Sequence, residues 1–258
     1  MFQIYNIVFS SYPYIFFITI AVVLASSCYI ILILKYNYEV HKYTVIFLLS
    51  SIGLLVGAKL FGFLTGTYIA ISTKENINIE TLKNTGIVYY GGLIGFILTF
   101  TILCRVKDHR IEHKLLDIIS VCIPLFHSCA RIGCYFAGCC YGVESNLCIS
   151  MMYTNKIDGV IVTVKRIPIQ IIESSINFII FFTLLYLLLT RRFDEHLLLI
   201  YAFTYAVIRI VLELFRGDIV RGVWNSISFS QVCSIVIILI CASVITYNKL
   251  RIIQHENN

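Results

Sequence analysis

Charge is what this chain has least of. Asp, Glu, Lys and Arg make up 13% of its 258 residues, about half the share of an ordinary soluble domain. So little charge cannot solvate the surface of a soluble protein of this size. Proline is almost absent, with 3 residues. There is no internal repeat, no low-complexity tract and no linker-like stretch, which excludes a repeat array or a string of domains and leaves one domain over residues 1–258. The opening residues Met1-Phe-Gln-Ile-Tyr-Asn6 carry no basic region and no small-residue cleavage site, so no removable signal peptide is expected. The net charge of +6 is dispersed over short loops. A nucleic-acid surface would gather it into one patch, so nucleic acid is not expected as a partner.

Apolar residues fill the gap. They are 59% of the chain, and mean hydropathy is +0.88. They form runs of membrane length near residues 13–34, 44–71, 86–104, 115–137, 169–190, 197–216 and 228–247. The pattern predicts an all-α, polytopic protein of about seven transmembrane helices in a bilayer. Glycine pairs four apart, Gly53/Gly57, Gly62/Gly66, Gly91/Gly95 and Gly138/Gly142, have the spacing that lets membrane helices approach closely.

Loop charge sets the direction. The connections after spans one, three, five and seven hold Lys35, Lys42, Arg105, Lys107, Arg110, Lys114, Arg191, Arg192, Lys249 and Arg251. The opposite connections hold Lys74, Lys83, Lys156, Lys165, Arg166 and Arg221. Ten against six puts the N-terminus outside and the C-terminus in the cytoplasm. The longer connections, at about 72–85 and 141–167, then face outward.

Ten cysteines invite a disulfide or metal reading. Six of them (Cys28, Cys104, Cys122, Cys129, Cys233 and Cys241) fall in apolar runs, where cysteine behaves as a small hydrophobe. Cys134, Cys139 and Cys140 form C-x4-C-C, which lacks the C-x2-C pairs of structural zinc sites. A small-residue packing role is expected for them, with neither metal nor cofactor. A disulfide to Cys148 remains open.

A few charges stand where lipid should be. Lys59, Asp117, Arg131, Glu173, Arg209, Glu213 and Arg216 fall within predicted spans. Each costs at least about 2.5–3.5 kcal/mol near mid-membrane, so such residues line cavities and carry function. In the sixth span, Tyr205, Arg209, Glu213 and Arg216 fall within roughly an 80° stripe at 100° per residue. The plain reading of this stripe is an Arg209–Glu213 ion pair that holds helices together. The functional one starts from its surplus of positive charge, because guanidinium is a planar fork suited to phosphate. Arg131 adds a third guanidinium. Gly133 and Gly138 follow it and predict broken helix, tolerated at this depth only in a cavity or inside protein. His127 precedes Arg131 by one turn on the same face and is a candidate base. Tyr90-Gly91-Gly92 opens the third span with room for a ligand. Pro168 starts the fifth, where Gln170 and Glu173 share a face. Ser228 and Gln231 open the seventh.

These motifs together resemble the prolipoprotein diacylglyceryl transferase family of bacteria. The likeness runs over most of the chain. It rests on Gly91-Gly92-Leu-Ile-Gly95, on Ala130-Arg131-Ile-Gly133 with Gly138-Cys-Cys-Tyr-Gly142, and on Pro168-Ile-Gln170 with Glu173. Tyr205-x3-Arg209-x3-Glu213-x2-Arg216 and Ser228-x2-Gln231 complete it. The resemblance implies transfer of diacylglycerol from phosphatidylglycerol to the lipobox cysteine of a prolipoprotein signal peptide, at a bacterial plasma membrane. It implies that Arg131 and Arg209 hold the lipid phosphate, with Tyr205 and Glu213 orienting Arg209. Gly142 matches a glycine of the signature, and Gly91, Gly92, Gly133, Gln170 and Arg216 join the binding set. Four positions depart from the family's pattern. Tyr90 stands where a histidine is usual, Cys134 for asparagine, Cys139 for glutamate and Ile167 for histidine. The thiol's proton is then left to His127, or to Tyr90 with Arg209 acting through its charge. Two other readings stay open: a non-catalytic relative that binds an anionic lipid or lipidated peptide, and a transporter or channel.

Overall fold

A computed structural model describes residues 11–73, 88–108, 113–157, 160–217, 223–224 and 227–256. The N-terminal hexapeptide, the connection at 74–87, and Lys74, Lys83, Arg110 and Arg221 of the loop-charge count lie outside them. Among the described residues, seven helices are long and apolar enough to cross a membrane. They are α1 Ser11–Lys35, α2 Val40–Thr73, α3 Tyr89–Asp108, α4 His113–Phe136, α5 Ile169–Leu189, α6 Leu197–Leu214 and α7 Phe229–Glu256. The long connection after α4, read from sequence as loop, contains an antiparallel hairpin of β1 Met151–Ile157 and β2 Val160–Arg166, with Met151 opposite Arg166. The β-branched run Val160-Ile-Val-Thr-Val164 suits a pleated ribbon. A second, two-residue ladder pairs β3 Val223–Trp224 with β4 Ile227–Ser228.

The chain gathers into two compact units. The first holds α1, α4, the β1–β2 hairpin, α5 and both ends of α6. Its core is Tyr29 and Ile33 of α1, Leu115, Ile118 and Ile119 of α4, and Leu184 and Leu188 of α5. Asp117, though charged, is buried among them. Its Oδ1 accepts from the Leu197 N–H at 2.9 Å and its Oδ2 from the Glu195 N–H at 2.6 Å. Helix starts leave amide donors without intrahelical partners, and a carboxylate from α4 satisfies those that begin α6. Gly133 lets α1 approach α4: a Cβ there would stand 3.0 Å from Phe17 Cβ. The Phe17 and Phe136 rings stack at 5.0 Å.

The second unit holds α2, α3, the middle of α6, β3–β4 and α7. Here α2 and α3 meet backbone to backbone. A Cβ on Gly53 would lie 2.7 Å from the Gly95 carbonyl, and one on Gly57 3.0 Å from Gly95 Cα. The expected packing of these glycine pairs is present. At the start of α2, Lys42 pairs with Asp108 at the end of α3, and Tyr43 Oη donates to the same carboxylate at 3.1 Å. The Ser228-x2-Gln231 motif is a capping box for α7. Gln231 N–H donates to Ser228 Oγ at 3.2 Å, and Ser228 N–H to Gln231 Oε1 at 2.8 Å. The reciprocal pair satisfies two donors that the helix cannot.

Candidate functional site

The first unit buries an ionic cluster on two facing helices. Arg131 Nε lies 2.9 Å from Glu173 Oε2 and donates to His127 Nε2 at 3.1 Å. His127 Nε2 stands 3.5 Å from Glu173 Oε1. Arg131 is 9% exposed, His127 2% and Glu173 1%. One turn of α4 separates His127 from Arg131, so both reach the same point on α5. The lone pair of His127 Nε2 is directed at Arg131, which makes that nitrogen the unprotonated one. His127 thus touches both members of the ion pair and helps to hold the guanidinium. The same helices are joined a turn away by Ser128 and Ser174, whose hydroxyls are 3.0 Å apart.

The helix does not break at Arg131 as its glycines suggest. It runs on through Gly133, since one internal glycine costs only about 1 kcal/mol, and ends at Phe136. The stop is Gly138, at φ 72°. Gly138 N–H donates to the Tyr135 carbonyl and Cys139 N–H to the Cys134 carbonyl, both at 3.1 Å. This is the Schellman cap, whose geometry brings the third residue from the helix end against the third residue beyond it. Here those residues are Cys134 and Cys139. Cys140 follows at φ 58°, unusual for a side chain with a Cβ. The three sulfurs lie within 4.8 Å of one another. The Cys140 thiol is held well below the usual thiol range by hydrogen bonds from Cys134 and Cys139, with Arg131 and Arg216 adding to the effect. The Cys139 thiol is pushed up by its hydrogen bonds to Cys134 and Cys140 and by burial.

Gln170 pins this turn. Its Nε2 donates to the Cys139 carbonyl at 2.6 Å and its Oε1 accepts from Tyr153 of β1 at 3.0 Å. Each end of the amide thus has a protein partner, and Gln170 ties the turn to β1. The chain beyond the turn is stitched to the end of α6. Val143 N–H donates to the Phe215 carbonyl at 2.9 Å and Gly217 N–H to the Tyr141 carbonyl at 3.0 Å, with Gly142 opposite Arg216. Gly142 has no room for a side chain, because a Cβ would fall 2.6 Å from the Ile167 carbonyl. Arg216 Nη1 stands 3.7 Å from Glu213 Oε2. Glu213 thus has an arginine three residues after it, just past the end of α6, and both side chains are buried.

The second unit gathers a cluster of phenols. Tyr90 Oη is 2.6 Å from Ser234 Oγ, and Tyr89 Oη 2.7 Å from Tyr201 Oη. The Tyr205 ring meets Tyr89 and Tyr90 edge-on at 5.5 and 5.9 Å and stacks with Tyr201 at 5.9 Å. Arg209, one turn beyond Tyr205 on α6, is 5% exposed. Gly91 and Gly92 do not leave room for a ligand. A Cβ on Gly91 would meet Phe61 Cγ at 2.6 Å, and one on Gly92 would touch Leu54 and Ala58 at 3.4 Å. Helix α2 fills that space, so these glycines serve helix approach. Sequence reasoning missed the roles of Tyr89, Tyr201 and Ser234. The four-residue step from Tyr201 to Tyr205 was the available signal.

Seven membrane-length helices that bury arginine, glutamate and histidine inward define a multi-pass membrane protein with a polar interior. The chain belongs to the prolipoprotein diacylglyceryl transferase family, whose model matches residues 1–247. It is similar to the phosphatidylglycerol–prolipoprotein diacylglyceryl transferase of Clostridium tetani, 32% identical over 207 residues that are 79% of this chain and 80% of that one. A second such enzyme of Clostridium perfringens is 27% identical over 241 residues, 93% and 92% of the two chains. That of Campylobacter hominis is 26% identical over 211 residues, 75% and 70%.

Proposed function

We propose that this protein transfers the diacylglyceryl group of phosphatidylglycerol to the cysteine thiol of a prolipoprotein signal peptide, in a bacterial plasma membrane. The observation that carries the reading is the burial of Arg131, Arg209 and Arg216 in a chain of this family. The acceptor sulfur attacks, as thiolate, the glycerol carbon that bears the phosphate ester. A carbon–sulfur bond forms, the carbon–oxygen bond breaks, and its electron pair leaves on the phosphate oxygen as glycerol 1-phosphate. The thiol's proton passes to water before the attack, and the released phosphate monoester carries the balancing second negative charge.

The chemistry asks for fixed positive charge where the phosphate leaves. Arg131, held by Glu173 and His127, and Arg209, next along α6 from Tyr205, are assigned that role. Arg216 and Glu213 support it. The thiol loses its proton because an electropositive surrounding favours thiolate, with Tyr90 as its polarising neighbour. Gly133 and Gly142 shape the backbone around Arg131. The excess of basic residues in the connections after α1, α3, α5 and α7 supports an outward N-terminus and a cytoplasmic C-terminus. That α6 contributes residues to both compact units supports reading residues 1–258 as one integral membrane domain.

The test is direct. Purified protein is given phosphatidylglycerol and a peptide with a lipobox cysteine, and the peptide is weighed by mass spectrometry. The diacylglyceryl adduct is expected, and Arg209→Ala abolishes it. Folded protein that binds the lipid and forms no adduct contradicts the enzyme and leaves a lipid-binding relative.

A further inference from the structure

We propose that Cys134, Cys139 and Cys140 form a binding site for one thiophilic metal ion, Zn2+ or Cu+. The spacing C-x4-C-C looks wrong for a metal site only on the assumption that ligand pairs need two intervening residues. The Schellman cap supplies the missing closeness. Its hydrogen bonds from Gly138 to Tyr135 and from Cys139 to Cys134 fold the chain back on the last turn of α4, placing the third helical residue from the end beside the third one after it. Cysteine occupies both positions.

Cys140 is the second, independent observation. It adopts φ 58°, a left-handed conformation that costs a residue with a Cβ roughly 1–2 kcal/mol. The strained residue is the one that brings the third sulfur to the other two. Such outliers cluster at functional sites. All three sulfurs are thiols with no disulfide among them, and they lie within 4.8 Å of one another. Three sulfurs bound to one ion at about 2.3 Å each would stand about 3.8–4.0 Å apart, so binding asks for a contraction of less than about 1 Å.

The donor set selects the ion. Thiolate sulfur alone favours Zn2+ or Cu+ over Mg2+, Ca2+ or Mn2+, which prefer oxygen. Cys139 and Cys140 are partly exposed while Cys134 is buried, so an ion would enter from their side. Two arginines act electrostatically on the cluster, Arg131 and Arg216, and offset the negative charge that three thiolates around one small cation would leave. Gln170, bonded to the Cys139 carbonyl at 2.6 Å, holds the turn as a ligand-orienting partner does in known metal sites. Three protein ligands satisfy trigonal Cu+ and leave Zn2+ a fourth position for water or another thiol.

The full chain, reduced and in detergent micelles, is titrated separately with Zn2+ and with Cu+ against a competing chelator, and bound metal is counted per chain. One ion per chain is expected with at least one of them. Cys140→Ser weakens binding at least tenfold, while Cys148→Ser, in the same loop but outside the trio, leaves it unchanged. The wild-type protein gives a readout that needs no variant: bound ion protects Cys134, Cys139 and Cys140 from alkylation, mapped by peptide mass. Failure of the reduced chain to bind either ion stoichiometrically overturns the site. So does binding that Cys140→Ser leaves intact, or an alkylation pattern indifferent to metal.

Discussion

Helices α4 and α7 are both apolar enough to cross a membrane, and they could hardly be used more differently. In its most apolar stretch α4 has a mean hydropathy of 1.6 and is 67% buried; α7 has 2.3 and is 11% buried. In a soluble protein the more apolar helix would be the buried one. Here the buried face of α4 carries Asp117, Ser120, His127, Ser128 and Arg131, while α7 turns Ile235, Val236, Leu239 and Ile240 outward. Lipid accepts leucine as readily as a protein core does, so apolarity gives no direction in a membrane. Polar side chains do, because each needs a partner that lipid cannot provide.

That contrast can be broken at its strong end first. Glu173→Ala leaves Arg131 buried without its carboxylate, and thermal unfolding in detergent is expected to show a loss of about 3–5 kcal/mol. Glu173→Gln keeps an acceptor and loses less. Asp117→Ala strips two backbone donors of their partner, with an expected loss of about 2–4 kcal/mol and early exchange of the Glu195 and Leu197 amides. On α7, Ser234→Ala removes only the hydroxyl bonded to Tyr90, and the expected loss is about 0.5–1 kcal/mol in the same measurement. Leu239→Ala lies on the outward face of α7 and shifts stability by less than about 0.5 kcal/mol. A large effect at Leu239 together with a small one at Asp117 would reverse the assignment of the two helices.

Much of this was legible in the chain before the fold was known. The seven apolar runs match the seven helices to within a few residues at most ends, and Gly53/Gly57 and Gly91/Gly95 announced the close α2–α3 contact. Partner choice was not legible. Glu173 and Gln170 sit one turn apart on α5, and nothing in their spacing says that one reaches Arg131 and the other the Cys139 carbonyl. Glu213 also has Arg216 beside it, three residues on. These pairings depend on which helices pack together and at what rotation, which helical periodicity alone does not encode. The helix end after Arg131 was misplaced for a local reason. Gly133 is tolerated inside a helix, whereas Gly138 stops it by taking a left-handed conformation.

The central claim is that the buried arginines serve the departing phosphate rather than the fold, and one double variant separates the two. Arg131→Met with Glu173→Leu removes the ion pair whole, so no charge is left stranded and stability is expected within about 2 kcal/mol of wild type. The rate of diacylglyceryl transfer from phosphatidylglycerol to a lipobox peptide, normalised to folded protein, is predicted to fall at least about 100-fold. A folded double variant that transfers at the wild-type rate would show that Arg131 and Glu173 only hold helices together.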